Sequence, residues 1–439
     1  MTEKKLSRYI MPNILAMVGT SCYVLADTFF VAASAGSDGI TALNLVLPVY
    51  GLIFAIGSMI GIGSATKYSL NKSLGENDYN DYFFNSVFWT VSVSILFVAA
   101  GCFFPDSIFK AMGADSTILK LGLPYIRIVL CSTPFFMLNY TFTAFTRNDG
   151  SPNIAMAATL LSGIFNIAFD YIFMFPMKMG MTGAALATGI SPVVSMLICM
   201  FHYLSDRNSV RFTVKIPSLK KLFLSCSLGV VAFVGEMSSG ITTMIFNFIL
   251  LNKAGNTAVA AYGVIANAAL VGTAMLNGVA QGLQPLASES HGKGELSSEK
   301  RILRNSLIAA EIISVIMLLS VLFFAEEFVT VFNSDNSAEL KSYATIGIRL
   351  YFPGYLFAAF NIVNAGFLSA TGKGRESSII AFSRGIAAIV LFAFLLSETI
   401  GITGVWLAFP ASEIFTLIIG ILLYGKRCYG LRKHYSSLI

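Results

Sequence analysis

The chain of 439 residues is 56% hydrophobic and only 12% charged, with a formal net charge of +6. Because a soluble domain carries about 25% charged residues, this composition excludes an ordinary water-soluble protein and predicts that most of the chain lies in lipid. Strand-like alternation of apolar and polar residues is absent, which argues against a membrane β-barrel.

The N-terminal segment MTEKKLSRYIMPNIL is basic, and no small-residue cleavage site follows a short apolar core. We therefore interpret it as a lead-in to the first span rather than as a removed signal peptide. The six cysteines show no CxxC or Cys/His spacing, and the three histidines, His202, His291 and His434, fall in predicted loops or the tail. Neither a metal cluster nor a disulfide framework is expected, and a chain immersed in lipid is not expected to bind nucleic acid.

Clusters of charged residues, together with helix-breaking Gly, Pro and Asn residues, divide the chain into twelve predicted helices. Each is close to or above the roughly 20 apolar residues that span a bilayer as a helix. We predict an all-α polytopic membrane protein with spans at 10–33, 41–70, 82–104, 119–146, 154–175, 182–204, 222–251, 258–289, 304–325, 342–370, 378–397 and 402–424.

The distribution of Lys and Arg sets the orientation of these spans. With both termini in the cytoplasm, the cytoplasmic segments hold 21 Lys and Arg residues and the outer loops hold 5. This asymmetry also favours an even number of helices. We expect a multi-pass monomer in the plasma (cytoplasmic) membrane of a prokaryote.

A basic connector at 205–221 divides the chain into two predicted lobes, an N-lobe (1–204) and a C-lobe (222–439). The halves resemble each other: AGSDGITA at 35–42 matches AGNTAVAA 219 residues later, and GMTGAALA at 180–187 pairs with GITGVWLA at 401–408. Six helices per half is an even number, so the repeats share one orientation. Such an arrangement supports alternating access, with a substrate cavity between the halves.

Polar residues interrupt the spans of the N-lobe at one common depth. Counting about 1.5 Å per helical residue, we place Asp27, Asp170, Thr188 and Tyr125 roughly 8–9 Å below the outer boundary, with Asn166 one turn deeper on the face of Asp170. A lone carboxylate there costs about 2.5–3.5 kcal/mol. Hydrogen-bond donors would reduce that cost, and so would a bound proton or sodium ion. The alternative is that both acids only join helices through hydrogen bonds.

The C-lobe carries different acids. Glu236 and Glu413 fall near the midplane, where two carboxylates would attract a lipophilic cation, although each could also be purely structural. Glu311 lies near a cytoplasmic helix end and could reach the interface by snorkelling. Arg127 and Arg349 lie near outer helix ends, where anchoring at the interface explains them.

Several ordered motifs resemble the multidrug and toxic compound extrusion (MATE) family over nearly the whole chain. Pro12, Tyr23 and Asp27 match the first-helix pattern of that family. NIAFD followed by GAALATGIS matches its fifth and sixth helices, and GITGVWLAFPASE matches the start of its last. The resemblance implies a twelve-helix, two-lobed antiporter that expels organic cations against an inward flow of H⁺ or Na⁺.

The resemblance also implies roles for individual residues. It assigns a bend to Pro12, and it places an N-lobe ion site on Asp27, Asn166, Asp170, Thr188 and Tyr125. Some family members bind sodium in the C-lobe through acids on helices seven and ten. Here helix seven offers Glu236, but helix ten offers Asn361 and Asn364, so a C-lobe sodium site is not expected. No cofactor is implied beyond the coupling ion, and the sequence does not select between H⁺ and Na⁺.

Two other functions compete with cation export. A related flippase for lipid-linked saccharides or cell-wall precursors needs a cationic cavity, whereas this sequence places acids in its spans. An intramembrane enzyme would need a catalytic constellation, but no HExxH occurs, and Asp27 with Asp170 lacks the GxGD context of an aspartyl dyad. The sequence therefore predicts a transporter and no enzymatic activity.

Overall fold

The computed structural model describes residues 3–332 and 337–436, apart from the side chains of 424–436 and of positions 3, 4, 37 and 331. The basic tail and His434 therefore lie outside the described side chains. All regular structure in the described ranges is helical. The helices are α1 (Glu3–Leu74), α2 (Asp81–Phe103), α3 (Pro105–Ala111), α4 (Ser116–Cys131), α5 (Thr133–Asn148), α6 (Pro152–Met174), α7 (Gly180–Tyr203), α8 (Leu219–Gly292), α9 (Leu296–Phe332), α10 (Ala338–Tyr351), α11 (Gly354–Ala370), α12 (Gly374–Phe382), α13 (Ala388–Ile400) and α14 (Ile402–Ser436).

These helices are long and apolar enough to cross a bilayer several times. In the described residues, nine helices meet that criterion, and two bent pairs raise the number to eleven if each pair is one span. The pairs are α4 with α5, bent by 44°, and α10 with α11, bent by 47°. The chain is therefore a polytopic helical membrane protein.

Two predicted outer loops, at 34–40 and 252–257, are wrong. The helix continues through both, interrupted only at Gly36 (φ 59°, ψ −149°) in α1 and at Gly255 (φ 70°, ψ −163°) in α8. This backbone region is essentially restricted to glycine, so a single glycine interrupts the helix where a loop was expected. The two glycines are 219 residues apart, which is the offset of the sequence repeat.

Other predicted boundaries also need correction. The predicted spans 119–146 and 342–370 are each two helices, because the helix breaks at Ser132 and again at Phe352–Pro353. The predicted span 378–397 extends over Gly374–Ile400 and contains a π-helical turn, Ser383–Ala387. The short helix α3 was not predicted.

Buried side chains form one large cluster in each half of the chain. The cluster of the N-terminal half contains residues between Val31 and Ala185, and that of the C-terminal half contains residues between Phe246 and Phe409. Leu6 and Ile10 belong to the second of these clusters. The start of α1 therefore packs against the opposite half of the molecule.

The halves meet at the helix ends on the side of the N-terminus, a contact region that we call the terminal seam. There Ser73 Oγ donates to the carbonyl oxygen of Ser288 at 2.9 Å, and Lys5 forms an ion pair with Glu289 at 2.9 Å. The connector between the halves lies over the same side. Its backbone N–H groups at Ser209 and Ser218 donate to the side chains of Asp149 and Asn85.

Candidate ion site and cavity residues

Asp27 and Asp170 face each other between α1 and α6. Their carboxyl groups approach within hydrogen-bonding reach of one another. Asp170 is fully buried, and neither of its oxygen atoms has a hydrogen-bond donor among the described residues; the same is true of Asp27 Oδ1. Two ionised carboxylates cannot donate to each other, so this approach suits a proton or a cation shared between them.

The neighbouring polar residues surround this pair. Asn166, one turn before Asp170 on α6, donates from Nδ2 to Thr188 Oγ1 on α7 at 3.2 Å, while its Oδ1 is buried without a donor. The hydroxyl groups of Tyr125 and Tyr50 lie 3.3 Å apart, close enough to both acids to sense their charge. The structure thus brings together all five residues predicted for an N-lobe ion site.

Local packing explains how α1 and α6 come so close. A Cβ added at Gly163 of α6 would lie 3.2 Å from Cδ1 of Tyr23, and one added at Gly19 of α1 would meet the side chain of Leu160. The absence of side chains at these two positions lets the helices approach. Asp27 and Asp170 follow on the same side, each about one or two turns further along its helix.

Glu236 lies on α8, half-buried, and accepts a hydrogen bond from the hydroxyl of Tyr140 at 3.2 Å. Tyr23 is close enough to both this carboxylate and Asp27 to sense their charges. Tyr140 also packs against Phe54, with ring centroids 6.1 Å apart. An acid of the C-terminal half and several aromatic rings of the N-terminal half therefore share one region next to the candidate ion site.

Glu413 has a different environment from the one expected. It is 1% exposed, and Arg384 Nη2 donates to its Oε1 at 2.7 Å. Asn361 Nδ2 donates both to Glu413 Oε2 at 2.7 Å and to its backbone carbonyl at 2.8 Å. The prediction of two free midplane carboxylates is thus corrected: the charge of Glu413 is already neutralised, and only Glu236 is available to a cation.

The remaining candidates take no part in these two clusters. Asn364 is half-buried on α11, about one turn after Asn361. Pro12 is buried within α1, where the backbone dihedral angles are helical. Glu311 lines a shallow cavity of about 520 Å³ on the outer face of α9, together with Arg304 and Phe360.

Sequence reasoning missed a buried charged cluster beneath the terminal seam. His202 was grouped with the loop histidines, although the predicted span 182–204 contains it; it lies in the last turn of α7, fully buried, with Nε2 3.1 Å from Asp149 Oδ2. Lys72 donates to Asp149 Oδ1 at 2.6 Å, and Tyr68 donates to the same atom at 2.8 Å. The sequence signal that could have revealed this cluster is the presence of charged residues within three or four residues of a predicted helix end.

The pKa of Asp149 reflects these contacts. Burial alone would raise it, but hydrogen bonds from His202, Lys72 and the backbone of Ser209 outweigh burial and lower the pKa to about 2. A carboxylate that accepts several hydrogen bonds is stabilised in its charged form. Asp149 is thus an anchor that stays ionised and joins α1, α7 and the connector.

Arg147 was also counted as a loop residue, whereas it lies in the last turn of α5 and is 5% exposed. Its Nη1 donates to Gln281 Oε1 at 2.8 Å and to Asn13 Oδ1 at 3.3 Å. Helix α5 runs further than predicted, so this cation is held inside the protein rather than in solvent.

Comparison with known proteins decides the family. The MatE family model matches residues 12–172 and 230–395, about three quarters of the chain and all of the site residues except Thr188 and Glu413. The chain belongs to the MATE family. Members of this family are transporters rather than enzymes, and this MATE protein is a multi-pass transporter of the bacterial cell membrane.

Similar proteins cover almost the whole chain. The multidrug export protein MepA of Staphylococcus aureus (strain MRSA252) is 26% identical over 432 residues, which covers 97% of this chain and 94% of that protein. MepA of Staphylococcus saprophyticus is also 26% identical, over 438 residues. Both relatives are multidrug export proteins. This similarity does not favour the alternative that the chain is a flippase for lipid-linked saccharides or cell-wall precursors.

Solved structures share the fold. A crystal structure of MATE in complex with MaL6 superposes with a TM-score of 0.91 at 22% identity, covering 98% of this chain and 97% of that one. An outward-facing conformation of a multidrug resistance MATE family transporter superposes with a TM-score of 0.87 at 23% identity, covering 98% and 96%.

Proposed function

We propose that this MATE protein exports organic cations by alternating access, in exchange for H⁺ or Na⁺ that binds between Asp27 and Asp170. The observation that carries the proposal is the approach of the fully buried Asp170 and the half-buried Asp27, three of whose four carboxylate oxygen atoms are buried without a donor. A proton between them would form the missing hydrogen bond. A sodium ion would accept the same oxygen atoms as ligands.

The helix count supports a two-lobed antiporter. The helix α8 contains 74 residues, about 110 Å if it were straight, which is far more than one bilayer requires. Counting it as two spans that meet at Gly255 brings the total from eleven to the predicted twelve. An even count puts both termini on one side, and the excess of Lys and Arg there assigns that side to the cytoplasm.

The contacts at the terminal seam then indicate the conformation. Ser73 with Ser288, and Lys5 with Glu289, join the halves at the cytoplasmic side. Closure on this side corresponds to an outward-facing transporter, in which the ion site and Glu236 are reached from outside. Uptake of the coupling ion in this state would accompany release of the exported cation.

The substrate class follows from the region around Glu236. A half-buried carboxylate next to Tyr23, Tyr140 and Phe54 offers one negative charge and several ring faces. Flat, lipophilic cations bind such surroundings through charge attraction and cation–π contacts. The MepA relatives are multidrug export proteins, which agrees with small organic substrates of this kind.

Transport in proteoliposomes tests the proposal. We expect an inwardly directed gradient of H⁺ or of Na⁺ to drive ethidium movement by the wild type, each ion being imposed in a separate experiment. Asp27→Asn and Asp170→Asn should each abolish the driven component, because an amide cannot exchange a proton and ligates sodium more weakly. Size-exclusion profiles must show that both variants fold.

Glu311→Gln is the matched control, since it makes the same carboxylate-to-amide change at a membrane-embedded position on the outer face of α9. It should transport at the wild-type rate. Normal gradient-driven transport by both aspartate variants would place the coupling ion elsewhere and refute the site.

A further inference from the structure

Arg147 connects the two halves at the terminal seam. Its guanidinium donates at once to Asn13 on α1 and to Gln281 on α8, at 3.3 Å and 2.8 Å. Arg147 itself lies on α5 in the N-terminal half, whereas Gln281 belongs to the C-terminal half. One side chain therefore holds three helices together where the halves meet.

The backbones of α1 and α8 touch at the same level. A Cβ added at Gly278 would lie 2.6 Å from Ile14 Cα, and one added at Gly282 would lie 2.8 Å from Ile10 Cα. Both distances are below any ordinary contact, so only glycine allows this approach. Gln281 lies between these glycines, and its contact with Arg147 therefore depends on the seam being closed.

The charge of Arg147 is poorly compensated in this closed arrangement. Its Nε and Nη2 atoms are buried without a hydrogen-bond partner. The two partners of Nη1 are neutral amides, and none of the ion pairs found in residues 3–332 and 337–436 includes this guanidinium. A buried cation without a counter-charge has lost hydration that neutral acceptors only partly replace.

Two opposing effects therefore act at one residue. The hydrogen bonds from Arg147 to Gln281 and Asn13 favour the closed seam. Desolvation of the guanidinium favours an open seam, because opening would admit water to Nε and Nη2. We propose that Arg147 sets the equilibrium between closed and open forms of the terminal seam, and hence between the two accessible states of the transporter. This inference rests on the proposed alternating access.

The proposal predicts that substitutions at the two ends of one hydrogen bond shift the equilibrium of the terminal seam in opposite directions. Arg147→Met removes the buried charge and retains most of the side-chain length, so the closed seam should be favoured. Gln281→Leu leaves the charge in place with only the longer bond to Asn13, so the open seam should be favoured. Losing a hydrogen bond to a charged group changes an equilibrium by about tenfold or more.

Distances between spin labels at Leu74→Cys and Leu296→Cys would measure this equilibrium. Both positions are exposed, at the ends of helices in opposite halves, and the six native cysteines would first be replaced by alanine. We expect the long-distance population to fall in Arg147→Met, because the buried charge is gone, and to rise by about tenfold in Gln281→Leu. In the double variant the open form should fall, as in Arg147→Met, because no buried charge remains to be paired.

Arg304→Met, an exposed arginine on α9, is the control and should leave the distances unchanged. Arg147→Lys keeps the positive charge and is less disruptive to folding than Arg147→Met. It should not favour the closed form as Arg147→Met does. If Arg147→Met instead opened the seam as Gln281→Leu does, Arg147 would be an ordinary stabilising contact and the proposal would be wrong. The distances are recorded without drug or ion gradient, so a failure of the ion site leaves this test intact.

Discussion

The buried pair of Glu413 and Arg384 gives a sharp prediction for stability. Glu413 is 1% exposed and the side chain of Arg384 is 15% exposed, so both charges lie largely outside water. Arg384→Met leaves the carboxylate with the Asn361 amide as its remaining side-chain partner. Removing one partner of a buried ion pair costs about 3–5 kcal/mol, because the other charge stays buried and uncompensated. We expect a loss of this size in the free energy of unfolding.

The double variant Arg384→Met with Glu413→Gln separates charge from packing. Gln can still accept from Asn361, and no charge remains, so we expect stability within about 1 kcal/mol of the wild type. Unfolding in detergent can be followed by the fluorescence of Trp406, which is buried on the same helix as Glu413. Arg349→Met, an exposed arginine on α10, is the control and should change stability by about 0.5 kcal/mol or less. A double variant as unstable as Arg384→Met alone would refute the reasoning.

Two further predictions concern the connector and the helix breaks. The lowering of the Asp149 pKa from 3.8 to about 2 corresponds to about 2.5 kcal/mol of stability, which is fully present above pH 4 and lost as the pH falls through 2. In acid unfolding, the Asp149→Asn variant should lack this loss of stability. If the loss were unchanged in the variant, it would belong to another group. Gly36→Ala should cost about 1–3 kcal/mol of stability, because φ 59° with ψ −149° is strained for any side chain. Gly51 is helical and has open space where a Cβ would lie, so Gly51→Ala should be neutral or stabilising in the same thermal unfolding assay. Equal losses in the two variants would contradict the argument.

Depth counting predicted the polar residues that meet around Asp27 and Asp170. It worked because helices are nearly straight rods with a fixed rise, so residues at equal distance from the same membrane face reach the same layer. The count needs no knowledge of which helices are neighbours, since few polar residues occur at that depth. The structure adds the contact itself, between α1 and α6, which the sequence did not specify.

The same counting failed for Glu413, because it locates a residue along the membrane normal and says nothing about which way its side chain points around the helix axis. Arg384 lies inside the predicted span 378–397, where the sequence assigns it no partner, whereas in the structure it belongs to the π-helical turn Ser383–Ala387 and donates to Glu413. A π-helical turn changes the rotation of the following residues about the axis. Such a local departure from 3.6 residues per turn cannot be read from hydrophobic spacing.

The buried residues at the helix ends near the terminal seam were missed for a different reason. Charged residues next to a predicted span were assigned to loops, so Arg147 and Asp149 were counted as solvated, and His202 was grouped with the loop histidines. In the structure α5 extends to Asn148 and the connector covers Asp149 from outside, through the backbone N–H of Ser209. Tertiary contacts between segments distant in sequence determine this burial, and a single-sequence pattern does not contain them.

Helix α1 is the element through which the ion site and the terminal seam can influence each other. Coupling between two sites requires an element whose equilibrium both of them bias. Asp27 contacts α6 at the ion site, and Asn13 accepts from Arg147 at the seam, about 21 Å away along the same helix. The backbone between them is helical, so a shift at one end is transmitted to the other. Under the proposed function, an ion shared by Asp27 and Asp170 would remove the repulsion between α1 and α6 and draw the helices together. Because Asn13 lies on α1, that movement would change the hydrogen bonds of Arg147, so the proposal predicts that the equilibrium of the seam changes with ion occupancy.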